Sequence, residues 1–193
     1  MLKIRTLEIA GFAAAVQALR LPFKKECRSD AGFTIMVDEE GLVETPSIIY
    51  SAKVDFDDKD LHLMSTLIKR GDEHSKAVRA IVVYVEIEAP VWFYRELETY
   101  RIGRERLGCE LTMHCECKGL SGEELEEAKD AIPMGHIQKT CDMVSYQTLR
   151  RIYVQRRNHR LPMWKAFCAW IESLPFAELL ILAGLEERVA DGE

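Results

Sequence analysis

Arginine residues crowd a short stretch of a protein that is acidic overall. The formal net charge of the 193-residue chain is -6, yet five arginines lie between positions 150 and 160. Guanidinium groups bind phosphates and carboxylates through charge-assisted hydrogen bonds, so the cluster indicates a local anion site. Basic residues are also common at the solvated carboxyl end of a helix, where they compensate the negative pole of the helix dipole and pair with neighbouring carboxylates. An anion site and a solvated helix end therefore both stay open. The five are Arg150, Arg151, Arg156, Arg157 and Arg160.

A second group of reactive residue types begins at Cys109. The cations Arg104 and Arg106 precede this thiol and could activate it as a nucleophile, although most such thiols are inert. His114, Cys115 and Cys117 follow, but structural zinc sites usually combine two Cys-x2-4-Cys pairs, and no second pair is present. We therefore predict no metal site.

Glu73-His74 is a third candidate, although a lone histidine is more often a packing or surface residue than a catalytic one. The same pair also suits an ordinary helix end.

Hydrophobic periodicity predicts the elements that position these residues. Alternation over Leu2–Ile9 predicts a strand, and the Ala-rich stretch from Ala10 to Leu21 predicts a helix that Pro22 stops. Short apolar runs between Phe33 and Val54 predict a hairpin or edge strands. Leu61, Met64 and Ile68 recur at helical spacing, which predicts a helix that begins near Asp57-Asp58 and ends before Gly71.

The second half of the chain is also predicted to contain both strands and helices. Residues 80–87 predict a strand, and Pro90 starts a helix through Arg101. Ser121-Gly-Glu-Glu124 has the form of a capping box and predicts a helix to Ala131. Apolar positions from His136 to Asn158 keep helical spacing, which predicts the longest helix of the chain. Another helix is predicted over Met163–Glu172, followed by an apolar tail, Phe176–Leu185.

Composition bounds the fold and the class of function. With 48% apolar residues the chain can bury one core, so we predict a single α/β (α+β) domain over 1–193 with a small mixed or antiparallel sheet and a long helix. The negative charge argues against a nucleic-acid-coating protein, and no apolar run is long enough for a membrane span. Six scattered cysteines and no secretory leader predict a cytoplasmic location.

The segment from Ala89 to Ile102 resembles a motif of flavin-dependent thymidylate synthases. In that family an Ala-Pro pair starts a helix that runs through Arg-Gln to an Arg-His-Arg signature. When Ala89-Pro90 is aligned with the family's Ala-Pro pair, Arg95-Glu96 falls on the Arg-Gln pair. Without a gap, Thr99-Tyr100-Arg101 then falls on the Arg-His-Arg signature. Downstream, the family pattern of a basic residue, Leu-Pro, Asn, Arg-Ser-Leu and a later arginine reads Lys129, Ile132-Pro133, Ser145, Gln147-Thr-Leu149 and Arg156.

This resemblance implies a thymidylate synthase complementing protein-like fold and a homotetramer with FAD at subunit interfaces. It also implies dUMP or a related pyrimidine nucleotide as substrate, with methylenetetrahydrofolate and NADPH as co-substrates. Arg156 and Arg101 would be catalytic. The flavin would be bound by His74, Tyr100, Arg101, Ser145, Gln147 and Arg151. The nucleotide would be bound by Arg95, Glu96, Arg104, Arg106, Cys109, Lys129 and Arg156.

The signature also departs from the family pattern. Cys109 replaces the serine next to dUMP, and Leu111 replaces an arginine that helps to hold the phosphate. We therefore expect Arg104 and Arg106 to supply the missing phosphate contacts. Two other functions stay open: a non-catalytic protein that sequesters or senses a nucleotide, and an assembly module in which the apolar segment Leu179–Leu182 mediates association.

Overall fold

The strands are held in one sheet by long-range antiparallel pairing. In the computed structural model, which describes residues 2–23, 58–112 and 114–181, the strand order is β1-β2-β4-β3 and every pair is antiparallel. Each strand alternates side chains between two faces, so one face can be apolar and the other polar. The strands are β1 Lys3–Ala10, β2 Val82–Pro90, β3 Arg104–Cys109 and β4 Ile137–Ser145.

The helices form wherever apolar residues recur every three or four positions and can reach the core. Short 3-10 helices also occur in the described segments, at Leu21–Phe23, Lys76–Ala80 and Glu98–Tyr100. The α-helices are α1 Phe12–Arg20, α2 Asp58–Lys69, α3 Val91–Leu97, α4 Gly122–Asp130, α5 Tyr146–Arg156, α6 Pro162–Glu172 and α7 Glu178–Ile181. No helix among these residues is long and apolar enough to cross a bilayer.

The core lies on one face of the sheet. On β2, the alternate residues Val83, Val85 and Ile87 are completely buried and join residues of the helices in one hydrophobic cluster. The opposite face carries charged cross-strand pairs, in which Lys3 contacts Glu88 at 2.6 Å and Arg5 contacts Glu86 at 3.1 Å. The predicted α+β class is therefore confirmed, and of the two predicted sheet types, mixed or antiparallel, the structure has the antiparallel one.

The prediction of one long helix from His136 to Asn158 is wrong over Ile137–Ser145. This segment is the strand β4, which pairs with β2 on one side and β3 on the other, and the helix begins only at Tyr146. In the described part of the chain the longest helix is α2, with 12 residues. The sequence shows no strand-like alternation of apolar and polar residues here, because two of the buried positions, Thr140 and Asp142, are polar.

Most other predicted elements match the structure, with three differences. The strand β3 was not predicted, and β2 spans Val82–Pro90 where a strand over 80–87 was predicted. The helix predicted from Pro90 through Arg101 is an α-helix only to Leu97 and continues as the 3-10 turn Glu98–Tyr100. β1 and α1 agree with the predicted strand and helix to within one or two residues, and α2, α4 and α6 fall where the periodicity places them. The hairpin predicted between Phe33 and Val54 lies outside the described residues. In the apolar tail, Leu179 and Leu180 are buried in the core of their own chain, so they are not available for assembly.

Candidate functional site

Three predicted site residues, Glu96, Tyr100 and Arg156, meet in one cluster. The Nε atom of Arg156 donates a hydrogen bond to the Tyr100 hydroxyl at 2.8 Å, and its Nη1 atom lies 3.3 Å from a carboxylate oxygen of Glu96. The same oxygen accepts a 2.7 Å hydrogen bond from the Trp164 indole nitrogen. The Arg156 guanidinium also lies 4.5 Å from the centre of the Trp164 ring, a favourable cation–π distance.

The sequence brings these residues together through three helices. The fixed φ of Pro90 suits a helix start, so α3 follows β2 directly and carries Glu96 in its last turn. The 3-10 turn that continues α3 carries Tyr100, and α5 places Arg156 beside both. Trp164 comes from α6 and is fully buried, which fixes the position of its ring.

The turn at Ile102-Gly103 is fastened to the start of α5. Ser145 is the N-cap residue of this helix and lies 3.0 Å, oxygen to oxygen, from the Thr148 hydroxyl, which donates to the Ile102 carbonyl at 2.7 Å. The Gly103 carbonyl accepts a 2.8 Å hydrogen bond from the Ser145 backbone. Ser145 thus has a structural task, and the turn that it holds carries the neighbouring Arg101.

Arg101 is exposed, and its side chain forms no hydrogen bond or ion pair within residues 2–23, 58–112 and 114–181. An unpaired guanidinium at the surface can bind an anion without first breaking an internal contact. This position suits the predicted contact of Arg101 with a ligand.

A second cluster lies at the other end of α5, beside the loop that follows α2. Asp72 accepts hydrogen bonds from Arg150 at 2.8 Å and from Arg151 at 3.1 Å. The Nε atom of Arg79, in the 3-10 turn before β2, donates to the side-chain oxygen of Gln147. The predicted residues Gln147 and Arg151 therefore lie together with Arg150 of the arginine-rich stretch and with Arg79, which the sequence did not single out.

Asp72 is the anionic member of this second cluster. Partial burial opposes its ionisation, but the hydrogen bond from Arg151, the nearby Gln147 carboxamide and the charges of Arg150 and Arg151 outweigh that effect and lower its pKa below the usual value. His74 lies on the same loop, is half exposed, and has its Nε2 atom 3.6 Å from the Glu73 carboxylate.

A third cluster joins β3 to β4 through ion pairs. Arg104 is buried and contacts the completely buried Asp142 at 2.5 Å, and it lies 3.3 Å from Glu98. Arg106 contacts Glu98 at 2.5 Å and lies over the Tyr94 ring, 5.3 Å from its centre. Burial raises the pKa of Tyr94 to about 12, so its phenol stays protonated. A phosphate at Arg104 would therefore have to compete with two carboxylates.

The remaining predicted residues lie nearer the surface. Arg95 is exposed with one weak contact, 3.8 Å, to the Met134 sulfur, and Lys129 is exposed on α4. Cys109, at the end of β3, is partly buried, and Leu111 is 48% exposed. An apolar side chain thus lies in water at the position where the resemblance would have an arginine.

The cysteines of the described segments are free thiols. Burial, with a smaller effect of Glu172, raises the pKa of Cys168 to about 11, which keeps this thiol protonated. Within the same segments, no three His, Cys, Asp or Glu side chains are arranged to hold a metal ion.

The first two clusters lie on opposite faces of α5. Nine positions separate Gln147 from Arg156, and at 3.6 residues per turn this equals about two and a half turns. Gln147 accordingly contacts the 3-10 turn before β2, whereas Arg156 contacts α3 and α6. Within one chain, the predicted flavin residues on α5 and the predicted nucleotide residue Arg156 do not line one pocket.

An open cleft of about 560 Å³ lies between the end of α5 and α6, and none of the predicted site residues lines it. Its basic residues are Arg157 and Lys165. Burial and the neighbouring Glu172 raise the pKa of Tyr153, another lining residue, to about 12.

The donors of the second cluster fit a ligand with a phosphate or diphosphate group. Two guanidinium groups, those of Arg150 and Arg151, contact the Asp72 carboxylate, and a third, that of Arg79, is bound to the Gln147 carboxamide on the same helix. Guanidinium groups are the preferred partners of phosphates because they present planar forks of donors. The residues present are therefore chemically suited to a dinucleotide such as FAD.

The structure is similar to solved structures of nucleotide-dependent enzymes. Thymidylate synthase X from Helicobacter pylori, in a structure with FAD and dUMP, superposes with a TM-score of 0.66 at 13% identity, covering 95% of this chain and 100% of that one. A second structure of that enzyme with FAD and dUMP gives a TM-score of 0.65 at 14% identity, covering 94% and 99%.

The UMP/dUMP methylase PolB from Streptomyces cacaoi, bound to 5-Br dUMP, gives a TM-score of 0.59 at 12% identity and covers 95% of each chain. No family model and no curated protein matches the sequence. At these identities the likeness establishes the fold that the chain shares with these enzymes.

Proposed function

We propose that this protein is a flavin-dependent enzyme that transfers a one-carbon unit reductively to dUMP or a related pyrimidine nucleotide. The observation that carries the proposal is the convergence of Glu96, Tyr100 and Arg156, three residues that the sequence motif assigns to the ligands. A fold shared with thymidylate synthase X and a UMP/dUMP methylase supports it.

The flavin is assigned to the second cluster and the loop residues near it. His74, Gln147 and Arg151 at the second cluster would hold FAD together with Arg101, Ser145 and Tyr100, of which Tyr100 lies in the first cluster beside Arg156. The flavin would supply hydride taken from NADPH, with methylenetetrahydrofolate as the carbon donor. Gln147 and Arg151 lie beside two further guanidinium groups, which favours a charged phosphate there. Ser145 contributes by fixing the turn next to Arg101.

The nucleotide is assigned to the cluster around Arg156. Tyr100, Glu96 and the Trp164 ring hold this guanidinium, so it is positioned in advance to stabilise negative charge on the pyrimidine or its phosphate. Lys129 and Arg95 are exposed cations that would attract the phosphate, and Arg106 and Cys109 on β3 would complete the nucleotide-binding residues. Arg104 would act mainly through its pairing with Asp142.

Completing one site requires a second copy of the chain. The two ligand clusters point to opposite sides of α5, so a flavin bound at one would meet a nucleotide bound at the other only across an interface between subunits. We therefore propose a homo-oligomer, specifically the tetramer that the motif implies. The free thiols of the described residues fit a reducing cytoplasm.

The test is a product assay on the FAD-reconstituted protein. The protein is incubated separately with dUMP, UMP and dCMP in the presence of NADPH and methylenetetrahydrofolate, and products are identified by mass spectrometry. We expect at least one nucleotide to gain one carbon as a methyl group. Lys129→Gln should reduce the rate, whereas Lys118→Gln, the same charge change on another exposed lysine, should not.

A second candidate is a non-catalytic nucleotide-binding protein. Leu111 is exposed where the motif would carry an arginine, and Arg104 is paired with Asp142, so the usual phosphate contacts are weakened. Nucleotide binding measured by calorimetry, together with no methylated product from any nucleotide, would favour this function over the enzyme.

A further inference from the structure

The loop from Gly71 to Ser75 places a carboxylate directly on two of the arginines of α5. Each carboxylate oxygen of Asp72 accepts a hydrogen bond from one arginine: Oδ1 from Arg150 at 2.8 Å and Oδ2 from Arg151 at 3.1 Å. The Asp72 side chain is 43% exposed, so water and solutes reach this pair. Asp72 thus occupies donors of one partly exposed guanidinium, Arg151, and of one that is largely buried, Arg150.

A third guanidinium reaches the same place from a different element. Arg79 lies in the 3-10 turn Lys76–Ala80, and its Nε atom donates to the side chain of Gln147 on α5. Gln147 is buried, so its carboxamide is held in place and fixes the guanidinium near the start of the helix. The position of Arg79 is therefore set by the fold and does not depend on a ligand.

The balance of charge in this group is positive. Arg79, Arg150 and Arg151 contribute three positive charges, and Asp72 compensates for one of them. Glu73, next in the chain, turns toward His74. Although the whole chain carries a net charge of -6, this local excess of positive charge attracts a multivalent anion.

We infer that Asp72 is a built-in competitor for the phosphate group of the ligand that binds at Arg79, Arg150 and Arg151, and that it limits the affinity of this site. A phosphate or diphosphate presents more oxygens and more charge than a carboxylate, so it displaces Asp72 from the guanidinium groups. The inference rests on the proposed function for the source of the phosphate, either the flavin dinucleotide or the nucleotide.

Two substitutions should change affinity in opposite directions. Asp72→Asn keeps the shape of the side chain but removes its charge, so it competes less well, and phosphate binding should tighten about ten-fold. Arg79→Gln removes a cation and should weaken binding by a similar factor. Glu73→Gln is the matched control, since it removes a carboxylate one residue away that does not contact the arginines of α5.

The experiment is isothermal titration of the full chain with inorganic pyrophosphate at fixed ionic strength, after circular dichroism has verified that each variant is folded. The expected order of affinity is Asp72→Asn above wild type, Glu73→Gln equal to wild type, and Arg79→Gln below it. Unchanged or weaker binding by Asp72→Asn, an equal gain in Glu73→Gln, or no pyrophosphate binding by any folded variant would overturn the inference.

The same titration with FAD and then with dUMP identifies the source of the phosphate. A ten-fold gain for FAD alone assigns the arginines to the flavin, and a gain for dUMP alone assigns them to the nucleotide. If FAD and dUMP bind normally but Asp72→Asn changes nothing, the inference fails and the proposed function stands. If neither ligand binds but pyrophosphate responds as expected, the proposed function fails and the inference stands.

Discussion

Arg156 is held by groups of three different kinds, namely a phenol, a carboxylate and the face of an indole ring. In this arrangement the Nε and Nη1 donors of the guanidinium are already hydrogen-bonded, which restricts the rotation of the side chain. A residue that is fixed in this way loses little further entropy when it binds an anion. This is the physical basis for placing the nucleotide at this residue.

Replacing Arg156 with Gln tests that placement. The variant loses the charge and the stacking on Trp164, so we expect dUMP to bind about ten- to a hundred-fold more weakly, by ~1.5–3 kcal/mol. The measurement is isothermal titration of the folded variant with dUMP.

The matched control is Arg160→Gln, because Arg160 is an exposed arginine just beyond the same end of α5. It makes the same change in net charge, and dUMP affinity should stay within two-fold of wild type. Equal losses in both variants would mean that only the overall charge matters and that Arg156 has no specific role.

The sequence could indicate some of the site residues but not their companions. Glu96, Tyr100 and Arg156 were found because their spacing within a motif is preserved. Trp164, Arg79 and Asp72 reach their partners across 68 to 79 positions of chain, and no local pattern marks such contacts. A tryptophan in an apolar helix is read as core, and only the fold shows that its nitrogen also binds Glu96.

At the level of elements, β4 shows where periodicity misleads. Ile137, Cys141 and Val144 are spaced like one face of a helix, whereas the true strand alternation places Thr140, Asp142 and Val144 on the buried side. Asp142 is tolerated there because Arg104 on the adjacent strand neutralises it. Since the compensating charge comes from another strand, the pattern within the segment could not reveal it.

The turn between α3 and β3 depends on a glycine. Gly103 has φ +79, and a Cβ atom at this position would lie 2.5 Å from the Thr148 hydroxyl and 2.7 Å from that of Ser145. Gly103→Ala combines an unfavourable left-handed conformation with this clash, so we expect a loss of about 2–4 kcal/mol in the free energy of unfolding. Thermal denaturation should show a Tm lower by roughly 5–15 °C.

Gly108→Ala in β3 provides the comparison, because nothing lies within 4 Å of a Cβ atom added there. Its Tm should stay close to that of wild type. A Gly103→Ala variant as stable as Gly108→Ala would contradict the described contact between this turn and the start of α5.

At the scale of the whole molecule, the position of α5 determines how the ligands can be arranged. The helix lies between the loop that follows α2 on one side and α3 with α6 on the other. Arg150 and Arg151 contact the loop, and Arg156 contacts α3. The sequence predicted the α+β class and a small sheet, mixed or antiparallel. They could not predict that the motif residues on α5 are divided between two faces, since the predicted helix was twice as long as the real one.

The most direct test of the central claim is the visible absorbance spectrum of the protein after incubation with FAD and gel filtration, followed by titration with dUMP. We predict that flavin absorbance elutes with the protein and that dUMP then shifts the flavin spectrum in a saturable way, because the two ligands would lie together in the proposed site. A protein fraction that elutes without flavin absorbance would contradict the account.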